Sequence, residues 1–390
     1  MPKKKKKWTK RRLTFWFSII SFLVAQAIVT LIPYNKVPEK AKPAYTFVLR
    51  YRNKVLNRLD LPFDLYSAHA SMEAGNGQVK IFFAPSASIE KELLNFINSA
   101  EKSIELCVFE LNLQSAADAL VAAHARGVQV RLIIDNDYSH EAELNEILAK
   151  KIPLQFDPRS AFMHNKFIIV DHQKVWTGSY NFTKNGTRKN DNNALTIESK
   201  NLASNYLAEF NEMWAHKSGF FGKSGYGPKS PSSTPYPLIQ LEGLALENHF
   251  APEDRVQRKI LNEISKAKKS IKVLAFSFTS KEIGRALIQK KSAGLDIQVL
   301  FNASGASTEY SQMKNLQEAQ IQTDISLNRR GVMHHKVIII DEQTVITGSF
   351  NFSKNADTSN DENIIILRSP EIAAIYTEEF SRCIRGVKGY

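Results

Sequence analysis

Two short stretches of this sequence hold the residues best equipped for chemistry. His164, Lys166, Asp171, Gly178, Ser179 and Asn181 recur, in the same types and spacing, as His334, Lys336, Asp341, Gly348, Ser349 and Asn351. Residues two apart on a strand point to one face, so each imidazole should stand beside its own ammonium. Ser179 and Asn181 are also two apart, as are Ser349 and Asn351, and the glycine before each pair permits a close backbone approach. Base, cation, hydroxyl and amide then share one small site, suited to the oxygens of a phosphodiester as charge builds on them. Ser179, Asn181, Ser349 and Asn351 are the expected phosphate-binding residues.

A metal centre fits this pattern poorly. An ammonium beside each imidazole repels a divalent cation, and no His-x-x-x-His or cysteine pair completes a ligand set. No glycine-rich nucleotide loop is present, so no cofactor is expected. The two cysteines, Cys107 and Cys383, are too few for a disulfide framework or a Cys-rich metal cluster.

The elements that must position these residues are themselves duplicated. Phe83-Ala84-Pro85 returns as Phe250-Ala251-Pro252, and Lys102-Ser103-Ile104 as Lys269-Ser270-Ile271, each 167 residues later. Beyond the His-x-Lys pairs the offset is 170, so Tyr206 and Glu209-Phe210 return as Tyr376 and Glu379-Phe380. Each copy reads as strand (104–111; 271–278), helix (116–126; 283–292) and strand (128–135; 295–301), the alternation of an α/β sandwich. Phe167 to Val170 and Val337 to Ile340 are unbroken apolar runs, as in strands covered on both faces.

On these residues the chain resembles the phospholipase D superfamily, whose His-x-Lys-x4-Asp-x6-Gly-Ser-x-Asn signature is matched at every fixed position in both copies, within about residues 78 to 390. The resemblance implies two similar α/β halves about a pseudo-twofold axis, with one active site between them. It also implies a metal-independent phosphodiesterase in which one histidine attacks phosphorus, forming a phosphohistidine, while the other protonates the leaving oxygen. His164 is then the nucleophile and His334 the acid. Lys166, Lys336, Asn181 and Asn351 neutralise the phosphoryl oxygens, and Asp171 and Asp341 are structural ion-pair partners. The superfamily's orienting carboxylate falls on Glu362, expected to serve its own half's His334, whereas the first copy has Asn192 at that position.

The signature fixes a reaction type and leaves the substrate open. Hydrolysis of a phospholipid headgroup ester is the favoured reading, and cleavage of DNA or RNA the alternative, because residues 333 to 363 look most like the superfamily's bacterial endonucleases and cardiolipin-hydrolase-like members. A catalytically silent phosphate-binding scaffold is a third reading. A tandem chain needs no protein partner to complete its site and is expected to be a monomer.

Charge and hydropathy bear on where the enzyme works. Of the formal net charge of +13, residues 1 to 40 carry +9, with ten Lys or Arg and one Glu, leaving +4 on the remaining 350 residues. That body is too weakly basic for bulk charge alone to argue for nucleic acid. After the basic residues 1–12, residues 13–32 run without a charge for about the length that spans a bilayer at about 1.5 Å per residue. The segment is read as an anchor with a cytoplasmic amino terminus, or as a signal cleaved after Ala25-Gln26-Ala27, either of which delivers the catalytic body across the membrane. Residues 33–77 form a stalk, 78–217 the first half, 218–237 a Gly/Ser/Pro-rich linker, and 238–390 the second half.

Overall fold

The computed structural model describes residues 71–72, 79–215 and 234–385. The expected membrane segment, the stalk up to residue 70 and most of the linker lie outside the described residues. Among the described residues no helix is long and apolar enough to cross a membrane.

A two-residue strand β1 (Ser71–Met72) precedes the first half, which contains β2 (Val79–Ala84), β3 (Ser103–Val108), β4 (Gln129–Asp135), β5 (Leu154–Asp157), β6 (Lys166–Val170), β7 (Lys174–Gly178) and β8 (Asn192–Glu198). The second contains β9 (Ile239–Leu241), β10 (Leu244–Ala251), β11 (Ser270–Ala275), β12 (Asp296–Phe301), β13 (Gln322–Ile325), β14 (Lys336–Ile340), β15 (Thr344–Gly348) and β16 (Glu362–Arg368). The first sheet runs β2-β8-β7-β6-β3-β4-β5, and the second repeats that order as β10-β16-β15-β14-β11-β12-β13 with β9 and β1 added at one edge. Strands β3, β4 and β5 are parallel, as are β11, β12 and β13, while β6 and β14 run antiparallel to β3 and β11 and turn back as the hairpins β6–β7 and β14–β15. Two similar mixed α/β halves are therefore present, as the duplication requires.

The expected strands and helices agree with the observed ones to within a few residues, with one addition. The β9–β10 hairpin turns at Gly243, whose φ of +70° favours glycine, and it begins just past the stretch read as linker, at the start of the second half.

Burial explains the choice of residues. β6 and β14 are buried along their whole length, because helices cover one face of each sheet and the other half covers the opposite face. The inner cluster joins Phe167, Ile169, Tyr206 and Phe210 of the first half to Phe250, Val337, Tyr376 and Phe380 of the second. The helices Lys200–Ala215 and Pro370–Arg385 supply the large rings of this layer. The halves share one core.

The motif aspartates close the tight turns after β6 and β14. Asp171 and Asp341 adopt φ of +54° and +53°, in the left-handed region that Asp tolerates better than most residues. Their expected ion pairs are corrected by the structure. The Asp171 carboxylate accepts from the backbone amides of Glu101, Lys102 and Ser103, and Asp341 accepts from those of Lys268, Lys269 and Ser270. Each pins the start of a parallel strand to a hairpin turn, and those amides hold both carboxyls below their usual range against the opposing pull of burial.

Candidate active site

His164 and His334 stand just before β6 and β14, at the strand ends nearest the seam between the halves. The seam is stitched reciprocally. The His164 amide donates to the Asp361 carbonyl at 3.0 Å, and the His334 amide donates to the Asp191 carbonyl at 2.8 Å. Bridges Met163–Asp361 and Asp191–Met333 complete the exchange, so the start of β8 reaches into the second half and the start of β16 into the first.

That crossing decides which residue holds which imidazole. His164 Nδ1 lies 2.8 Å from Glu362 Oε2, and His334 Nδ1 lies 2.8 Å from Asn192 Oδ1. Glu362 therefore serves the other half's His164, which corrects its expected pairing with His334. The physical cause is the exchange of strand starts, which places residues 361 to 363 against residues 163 to 165.

Ser179 and Ser349 are found beneath these orienting groups. Ser349 Oγ donates to Glu362 Oε2 at 2.6 Å and accepts from the Asn363 amide, while Ser179 Oγ donates to Asn192 Oδ1 at 3.1 Å and accepts from the Asn193 amide. Each hydroxyl spends its one proton on an orienting side chain, so their expected place on the phosphate is corrected. Gly178 and Gly348, with φ of +143° and +144°, make this approach possible, since a Cβ at either would overlap the carbonyl of Asn193 or Asn363.

Lys166 and Lys336 are buried, each donating to the carbonyl of its own histidine, at 2.5 and 2.9 Å. Phe109 and Phe276, which sequence reasoning missed, complete the pairs. The Lys166 ammonium lies 5.1 Å from the Phe109 ring centre and Lys336 lies 4.7 Å from that of Phe276, and each ring also meets its histidine edge-on. The two phenylalanines are themselves 167 residues apart, a signal available in the repeat.

Asn181 and Asn351 follow directly on the glycine turns. The next residues, Phe182 and Phe352, bridge to Leu111 and Phe278, and Thr183 and Ser353 cap short helices, so each asparagine is fixed from behind. Their Oδ1 atoms are buried without a hydrogen-bond partner.

A second missed pair, Asn193 and Asn363, staples the halves together. Asn363 Oδ1 accepts from Thr177 and Tyr206 of the first half, and Asn193 Oδ1 accepts from Thr347 and Tyr376 of the second. Asn193 Nδ2 meets His335 Nδ1 at 3.1 Å, which directs the His335 Nε2 proton to Glu379 at 2.8 Å.

Electrostatics ties the four central groups into one site. Burial pushes both imidazoles well below their ordinary range, and Lys166 and Lys336 lower each of them further, across the seam as well as within a half. Burial brings Lys166 down to about 7 and Lys336 well below its usual value. Burial raises the Glu362 carboxyl to about 8, opposed by Lys166, Ser349 and Asn360.

Two side-chain clusters among the described residues could offer three metal-ligand atoms, His335/Glu379/Cys383 and Glu209/Glu212/Glu253. Neither contains a motif residue, and Glu379 is already forked by Arg382 at 2.7 and 2.6 Å.

A family model described as cardiolipin synthase, PLD-like domain, matches residues 93–214 and again residues 260–384. The chain belongs to the phospholipase D-like family. A phospholipase D of Rickettsia conorii is 36% identical over 145 residues, which span 37% of this chain and 72% of that protein. A mitochondrial cardiolipin hydrolase of Xenopus tropicalis is 36% identical over 124 residues, 31% of this chain and 59% of its own length. The crystal structure of a phosphatidylserine synthase from Haemophilus influenzae superposes with a TM-score of 0.60 at 13% identity, over 78% of this chain and 86% of that one, which is a likeness of fold. Each of these two curated relatives aligns with about a third of this phospholipase D-like chain, the length of one repeat.

Proposed function

We propose that this chain is a metal-independent phosphodiesterase that hydrolyses a phospholipid headgroup ester through a phosphohistidine, with His164 as nucleophile and His334 as general acid. The observation that carries the assignment is the unequal pairing of the two imidazoles. Glu362 accepts the Nδ1 proton of His164, which leaves the Nε2 lone pair free to attack phosphorus, and its negative charge offsets the positive charge on the phosphorylated ring. Asn192 fixes the His334 ring through the same atom without a charge to retain a proton, so an imidazolium there releases its Nε2 proton readily.

In the first step the His164 Nε2–P bond forms, the P–O bond to the leaving alcohol breaks, and that oxygen takes the His334 proton. In the second, neutral His334 takes a proton from water, the new P–O bond forms, and the P–N bond breaks to restore His164. Lys166, Lys336, Asn181 and Asn351 hold the non-bridging oxygens throughout. Ser179 and Ser349 are positioning residues.

The lipid reading is supported by the names of the relatives, phospholipase D and mitochondrial cardiolipin hydrolase. It is supported also by the apolar segment 13–32, which would hold the body beside a bilayer, on its far side from the cytoplasm. One chain supplies both halves of the site, so no partner subunit is required.

The test incubates the protein in EDTA with labelled phosphatidylcholine and cardiolipin, in parallel with single- and double-stranded DNA. Cleavage of lipid alone is expected, and cleavage of DNA alone would give the substrate assignment to nucleic acid. With an activated aryl phosphodiester, His334→Asn is expected to trap a phosphoenzyme and His164→Asn to form none; the opposite result reverses the two roles.

A further inference from the structure

Four of the six large apolar side chains most exposed among the described residues leave the catalytic end of the molecule: Phe162 at 40%, Ile325 at 45%, Leu327 at 56% and Tyr310 at 68%. The sheet register fixes the position of Ile325. Lys336 pairs with Ala275, Ala275 with Phe301, and Phe301 with Ile325, so Ile325 lies in the same row as the catalytic lysine, three strands and roughly 14 Å away. The chain then runs from Ile325 through Leu327 directly to His334.

This loop is rigidly held. The Asn328 side chain accepts from the amides of Arg330 and Gly331 and donates to the Lys189 carbonyl and the Asp191 carboxylate, pinning the turn to the first half. Gly331 packs so closely on Lys189 and Asn190 that a Cβ there would overlap them. Leu327 is thus presented to solvent on a turn pinned to the first half. Exposed cations surround it, with Arg329 and Arg330 on the same turn and Arg188 and Lys189 on the segment to which that turn is pinned. Asp324 and Glu309 are the acidic residues of the adjoining segments.

We infer that the 325–330 turn, with Arg188 and Lys189 beside it, is an interfacial docking surface that seats on an anionic lipid bilayer and inserts Leu327 among the headgroups. The inference deepens the lipid reading above and rests on it. Aliphatic side chains such as Leu327 and Ile325 enter a headgroup layer, and the four cations match its negative surface. Docked in this way, the site mouth faces the bilayer surface from which headgroups would enter.

The test uses the full chain with an environment-sensitive fluorophore on Leu327→Cys, because Cys107 and Cys383 are both buried. The control carries the label on Ile375→Cys, an exposed position on the helix Pro370–Arg385 and outside the 325–330 turn. On vesicles of phosphatidylcholine with phosphatidylglycerol, the label at 327 should shift to the blue and be quenched by doxyl lipid, while the label at 375 does neither. Adding Arg329→Glu and Arg330→Glu should cut that quenching to the control's level. Absence of shift and quenching at 327 in protein that still hydrolyses a soluble aryl phosphodiester overturns the surface and leaves the reaction standing. A shift produced by single-stranded DNA and not by vesicles overturns it in favour of nucleic acid. Quenching at 327 without soluble-diester hydrolysis upholds the surface and removes the proposed reaction.

Discussion

Glu362 and Asn192 hold the two imidazoles through the same ring atom and at the same 2.8 Å, yet only one of them is ionisable. Productive chemistry asks for Glu362 ionised and Lys166 charged, while burial places the carboxyl at about 8 and the ammonium at about 7. The carboxylate forms as pH rises, whereas the Lys166 ammonium and the protonated His334 that the acid role requires are both lost, so kcat/KM should rise with Glu362 and fall with the other two in a narrow bell. Glu362→Gln should lower kcat/KM by about a hundredfold and abolish the rising limb, leaving only the alkaline fall; a variant that keeps both limbs would remove Glu362 from the titration. Asn192→Asp makes the complementary prediction. A carboxylate at Nδ1 retains the His334 proton, so the water-activating step should slow about tenfold near neutrality and phosphoenzyme should accumulate in rapid-quench measurements. At this scale the sequence disclosed residue identities more fully than partners. His164, Lys166, His334, Lys336, Asn181 and Asn351 announce themselves by repeated spacing, but the pairing of Glu362 with His164 depends on a contact between residues 198 apart, which no local pattern encodes.

Hairpins and their glycines set the precision with which those residues meet. The β7 and β15 ends carry Gly178 and Gly348 at positive φ against the facing carbonyls of Asn193 and Asn363, so an added methyl group has neither conformation nor space. Gly348→Ala should therefore cost about 2 to 4 kcal/mol of stability and displace Ser349 from Glu362, which denaturant unfolding and kcat together would register. Asp171 and Asp341 act on the same hairpins from the other end. The folded-state pKa of each is depressed, so its contribution to stability is complete above the unfolded carboxyl value of about 4 and is lost as pH falls through the folded value. Asp171→Asn should lower the Tm at neutral pH and narrow its gap to wild type below about pH 3; a gap independent of pH would mean that the amide replaces the carboxylate fully. Elements with an unambiguous pattern were legible, above all the apolar runs of β6 and β14. The β9–β10 hairpin was not, because Ile239 to Leu241 is too short to carry a period and borders a stretch rich in Gly, Ser and Pro.

Duplication alone would allow two independent domains, but the inner core belongs to neither half. Tyr206 of the first packs edge-on against Phe250 of the second with ring centres 5.1 Å apart, and the same Tyr206 hydroxyl donates to Asn363. Arg159 bonds Asp157 in its own half and Asp361 in the other, and Arg382 reaches Asp191 from the opposite direction. Asp361 and Asp191 immediately precede Glu362 and Asn192, so the groups that orient the imidazoles are fixed only when the halves are together. Folding and assembly of the site should accordingly be one event. Phe250→Ala, which opens a cavity in the shared layer, should cost about 3 to 5 kcal/mol and move the whole unfolding curve without splitting it. Near-ultraviolet dichroism of the buried rings of both halves and the loss of soluble-diester hydrolysis should then share one midpoint. Two separated transitions, with one half outlasting the other, would show that the halves are stable alone and that the seam follows folding instead of directing it.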